Sequence, residues 1–122
     1  MANHYDVYYK DNEFMNRIRE IGLSFPGAEE KPDELGHITF KVKDKTFVRV
    51  GEREGVYSAS LRTSKETQSF VLSDQSAPYY RTPYVGQHGW ISVASDADID
   101  WEHVKQLAEE AYLRTAPKKK KA

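Results

Sequence analysis

The chain has 122 residues, no cysteine and a formal net charge of −1, with 39% apolar and 30% charged residues. That length allows one domain with one real core, and the composition excludes both a disordered chain and a disulfide framework. No apolar run approaches the roughly 20 residues of a membrane span, and the opening MANHYDVYYKDNEF lacks the basic start and apolar stretch of a secretory signal; with no cysteine, a reducing cytoplasm is the expected location.

The first helix is expected to start near Asp11 or Asn12, either of which can cap it, and to bury Phe14, Met15, Ile18 and Ile21 on one face. Gly22 suits a left-handed helix end, Pro26 forbids continuation, and Glu29 to Glu34 reads as a polar linker broken by Pro32. From His37 the period changes to two. Ile38, Phe40 and Val42 share one face of a strand, and His37, Thr39, Lys41 and Lys43 share the other. A turn at Asp44 and Lys45 leads to a second strand, Thr46 to Val50. Another turn at Glu52 to Gly55 leads to a third, Val56 to Arg62, which makes an antiparallel meander. Ser64 caps a short helix ending near Leu72, and a Pro- and Tyr-rich stretch leads into a strand from Trp90 to Ala94. Asp98 is the expected cap of a last helix with a buried stripe of Val104, Leu107, Ala108, Ala111 and Tyr112, stopped by Pro117. The expected architecture is α+β: a two-layer sandwich with an antiparallel sheet covered on one face by helices. Residues 1–117 form the domain, and 118–122 are a basic tail expected to be disordered.

Charge is unevenly placed. Between residues 37 and 81 eight cations face five carboxylates, whereas each flank carries a surplus of four negative charges, before the Lys118 to Lys121 tail. A basic centre can serve an anionic partner, and it can equally be a solvated sheet face. On the nucleic-acid reading the contacts are Lys41, Lys43, Arg49, Arg62 and Arg81. The sequence leaves open whether Arg49 points with Lys41. Tyr79, Tyr80, Tyr84 and Trp90, interleaved with Arg81 and His88, have the mixture used to stack unpaired bases, and equally that of rings packed over a sheet edge. Trp90 reads first as a packing residue, with a loss of about 3–5 kcal/mol on replacement by alanine if its ring is buried. His37, His88 and Trp90 are the candidates for a ligand pocket. His4, His37, His88 and His103 show no metal-ligand spacing, and Asp96, Asp98 and Asp100 open like a calcium loop that fails at Trp101 and Leu107. The chain has no nucleophile elbow, P-loop or dinucleotide fingerprint; Gly51 and Gly55 read as turn residues. No cofactor, metal or catalytic role is expected.

Four segments in order carry a resemblance: LSFPGAEE after the first helix, GHITFKVKDKTFVRV as the opening hairpin, YVGQHGWISV, and the closing DIDWEHVKQLAEEAY helix. Together they resemble the MmcQ/YjbR family from about Asp11 to Pro117. The resemblance implies a CyaY-like (bacterial frataxin-like) fold and a predicted DNA-binding protein, and its GQHGW segment marks Trp90 as the recurring element. Weak DNA binding through the basic strand face is therefore one expectation. A partner- or small-ligand-binding module on the exposed sheet, without catalysis, is the alternative. Glu13, Glu20, Glu29 and Glu30 are too scattered to form an iron-binding ridge of the frataxin kind.

Overall fold

The structure, a computed structural model, describes residues 12–116. The readings at Asp11, Pro117 and the lysine tail lie outside the described residues. Helix α1 (Glu13–Gly22) is capped by Asn12, whose Oδ1 accepts the Met15 N–H at 3.0 Å. Strands β1 (Ala28–Pro32), β2 (Ile38–Val42), β3 (Lys45–Arg53) and β4 (Val56–Arg62) precede α2 (Lys65–Leu72). Then come β5 (Tyr79–Arg81), a 3-10 turn (Val85–His88), β6 (Trp90–Ala94) and α3 (Trp101–Thr115). The strands form one antiparallel sheet in the order β1-β2-β3-β4-β6-β5.

Pairing places Ile38, Val50, Ala59 and Val93 in one row across the sheet, and Phe40, Val48, Leu61 and Ile91 in the next. These residues are buried with Phe14, Met15 and Ile18 of α1 and Val104, Leu107, Ala108 and Ala111 of α3. The helices therefore cover one face, as the α+β sandwich requires. A bulge between Phe40 and Lys41 sets Phe47 against Phe25 and Tyr112, whose rings stack 4.9 Å apart. The Tyr112 hydroxyl donates to the Pro26 carbonyl at 2.6 Å and ties α3 to the turn after α1.

Several local expectations are corrected. Gly22 closes α1 in close packing, because a Cβ there would lie 2.7 Å from the Phe40 ring; the left-handed glycine is Gly27. The supposed polar linker holds edge strand β1, paired with β2 from Ala28 to Pro32. Its charged residues and terminal proline suit an edge that must not recruit another strand. The hairpin turns centre on Lys43–Asp44 and Glu54–Gly55, all four with positive φ, one residue earlier than the expected first turn. The α3 cap is Asp100, not Asp98; it accepts the Glu102 and His103 N–H groups.

Tyr79 gives the helix-covered side a testable pH dependence. Burial, helped by the Asp100 charge, pushes its phenol up to about 12, and its hydroxyl pairs with His103 Nδ1 at 3.1 Å. The folded state thus holds this proton more tightly than the unfolded chain, whose tyrosine titrates near 10. The stabilisation is complete below about pH 10 and is lost as pH rises toward 12, on the order of 2 kcal/mol in full. Denaturant unfolding between pH 9 and 11 should therefore show wild type losing stability faster than Tyr79→Phe. Parallel curves would exclude this role.

Candidate functional site

Among the described residues no helix covers the second sheet face, and its residues follow from the same register. Lys31, Thr39, Arg49, Ser60, Ser92 and Tyr80 form one row across all six strands. Short hydroxyl side chains sit at its centre, and Ser60, Ser92 and the nearby Thr82 are buried. The Ser92 hydroxyl lies 2.8 Å from Ser60 Oγ and 2.8 Å from Thr82 Oγ1. Three hydroxyl protons serve two mutual bonds, so in every arrangement one proton is left to donate elsewhere.

Above this floor is a cavity of about 450 Å³. Its wall includes His37, Arg49, Ser58, Tyr80, Tyr84 and Pro83, besides the three hydroxyls. Among the described residues no carboxylate lines it. Arg49 makes no ion pair among the described residues, and its guanidinium carbon lies 6.0 Å from the centre of the Trp90 ring. Among the described residues the formal charge that lines the cavity is therefore the positive one of Arg49.

His37 enters from the β1–β2 turn. Asp33 Oδ1 accepts the N–H groups of Leu35 and His37 at 2.9 and 2.8 Å, and Oδ2 lies 3.1 Å from His37 Nδ1. Partial burial would raise the Asp33 carboxyl, but hydrogen bonds from the His37 backbone and ring and from Leu35 outweigh it and hold the group below its ordinary value. The ionised carboxylate orients the ring by accepting at Nδ1, which leaves Nε2 free of this contact. The ring rests on Gly51, where an added Cβ would lie 2.9 Å from Cδ2. Gly51 is thus a strand residue beneath a ring, and only Gly55 takes the turn expected of both.

The five cations expected to act together have different surroundings. Thr39 and Arg49 are paired and Lys41 follows two residues after Thr39, so Lys41 and Arg49 do share the open face. Lys43 sits in the hairpin turn. The Arg62 guanidinium donates to Thr115 Oγ1 at 3.0 Å, and Arg81 is in register with Ile91, its side chain against Gly86. Of the pocket candidates, His37 lines the cavity, whereas His88 and Trp90 do not. Trp90 is a partly buried residue of the open face outside the hydrophobic core, which corrects its reading as a packing residue. Its replacement by alanine should accordingly cost well under the 3–5 kcal/mol of a buried ring. The sequence reading missed Asp33, Ser60, Thr82 and Ser92. The one available signal was the polar alternation in SASL and ISV, which marks a face but not its neighbours. Among the described residues no His, Cys, Asp or Glu cluster of three could hold a metal ion.

The model of the YjbR family matches residues 23–114, three quarters of the chain and every strand of the sheet. The chain belongs to the YjbR family. Its fold is similar to the crystal structure of the Deinococcus radiodurans protein DR2400, described as a DUF419 domain, with a TM-score of 0.67. Identity there is 18%, over 80% of this chain and 74% of that one, a likeness of fold alone. No curated protein matches. The matched region contains the whole cavity wall, so the site of this YjbR chain lies within the part that defines the family. No helix of the described residues is long and apolar enough to cross a membrane.

Proposed function

We propose that this chain is a binding module whose open sheet face takes a small anion in the Arg49 cavity. The observation that carries this reading is a concave wall that, among the described residues, has an arginine without an ion pair, a spare buried hydroxyl donor and no carboxylate. A guanidinium beside hydroxyl donors suits phosphate or carboxylate oxygens, and the surrounding partly buried site strengthens such bonds relative to water. The Asp33–His37 pair adds an oriented ring nitrogen at the rim. Titration with methyl phosphate, followed by backbone amide shifts, tests the reading. Saturable shifts at Arg49, Ser60, Thr82 and Ser92 are expected, and shifts scattered over the lysines instead would overturn it.

One observation favours a second reading, weak DNA binding: Lys41 and Arg49 stand on the same open face. Phosphate contacts of that kind bind without sequence preference and weaken steeply with salt. A labelled duplex titrated at about 50 and 200 mM salt should then lose affinity at least tenfold between the two. Reversing the charges of Lys41, Lys43 and Arg49 together should weaken binding more than deleting Lys118 to Lys121. If the tail deletion alone removes binding, the folded face is not the DNA site.

A further inference from the structure

The rim of the same cavity is built around a conformationally costly residue. Tyr84 has φ 67° and ψ −56°, and the Val85 N–H donates across it to the Pro83 carbonyl at 2.7 Å. This is a γ-turn with positive φ, a rare and strained form that a side chain disfavours and glycine accepts readily. Strain of this kind persists only where the surroundings impose it. Here Gly86 N–H donates to the Thr82 carbonyl at 2.9 Å, and the buried Gln68 amide donates to the carbonyls of Gly86 and Trp90 at 2.7 and 2.8 Å. Yet the ring so displayed is 95% exposed, so the fold gains almost no packing from it. Tyr80, Pro83 and Leu35 continue an apolar rim beside it. The cavity thus has a donor-rich floor and an aromatic mouth.

We infer that the ligand is an anionic group carried on a flat aromatic ring, with the anion at Arg49 and the hydroxyl floor and the ring stacked on Tyr84. The inference rests on the anion-site reading above and adds the second half of the ligand. Oxygens of the anion take the spare hydroxyl proton and the guanidinium, and the ring face covers Tyr84 at the entrance. A stack on one ring at a partly open mouth corresponds to about a tenfold gain in affinity.

The test compares phenyl phosphate with methyl phosphate on the full chain by amide-shift titration, for wild type, Tyr84→Phe and Tyr84→Gly. Wild type and Tyr84→Phe should bind phenyl phosphate about tenfold more tightly than methyl phosphate. In Tyr84→Gly the ratio should fall to about one, while its thermal midpoint stays equal or rises because the strained φ is relieved. A phenyl preference that survives in Tyr84→Gly overturns the inference, as does equal binding of the two phosphates by wild type; in both cases the anion site itself stands. If neither phosphate binds wild type, the inference and the anion site fall together.

Discussion

Gly89→Ala is expected to lose about 4 kcal/mol or more of stability, a large share of the roughly 5–15 kcal/mol that holds a domain of this size. Gly89 has φ +99°, and an added Cβ would lie 2.3 Å from the Thr63 carbonyl oxygen, 2.9 Å from the Ser64 carbonyl carbon and 3.1 Å from the Lys65 nitrogen. All three are backbone atoms at the start of α2, so no side chain can swing aside. The fully buried Thr63 also donates its hydroxyl to the Gly89 carbonyl at 2.7 Å, which locks the two segments together. Relief would require moving α2 or the start of β6, and either shift disturbs the sheet. Gly36→Ala separates the two contributions. Gly36 has φ +87°, and nothing lies within 4 Å of an added Cβ, so its cost should be about 1–2 kcal/mol from the backbone alone. Urea midpoints measure both variants. Equal shifts would show that the close approach to Thr63 does not matter.

Arg49→Met should weaken phosphate-monoester binding about ten- to a hundredfold, the range of one lost charge-assisted hydrogen bond. Its effect on stability should stay within about 1 kcal/mol, because Arg49 makes no ion pair among the described residues and methionine keeps most of its aliphatic stem. Lys41→Met is the control. Lys41 shares the open face but borders a different cavity, with Glu29 and Asp44 in the wall. A small-anion site distinguishes the two variants sharply, whereas a phosphate-tracking face loses similar affinity with either. Equal losses in methyl phosphate binding would remove the case for the Arg49 cavity.

Local signals in the sequence suffice where the local chain alone decides the outcome. Val56–Arg62 and Trp90–Ala94 are strands with the expected bounds, and Ser64 caps a helix that ends at Leu72. The two edge strands were not legible. Charged Glu29, Glu30 and Lys31 look like linker, and Tyr79–Arg81 is too short to show alternation; pairing with β2 and β6 makes them strands. Aromatic content misled at Trp90, because a large ring beside apolar neighbours has the same composition on either face of a sheet.

The sequence by itself determined an α+β domain, since a period of two between stretches of period 3.6 leaves an apolar sheet face that amphipathic helices must cover. It also determined that Thr39 and Lys41 of β2 face away from the core side of Ile38, Phe40 and Val42. Tertiary structure alone decided what those residues meet. Strand order and register place Ser60 beside Ser92, bring the β1–β2 turn and the Thr82–Gly86 loop over the same hydroxyls, and set Arg62 against Thr115 and Arg81 against Gly86. The physical reason is that alternation sets a side chain's direction locally, whereas its neighbours across a sheet come from pairings between residues as far apart as Ser60 and Ser92, whose only trace in one sequence is polarity.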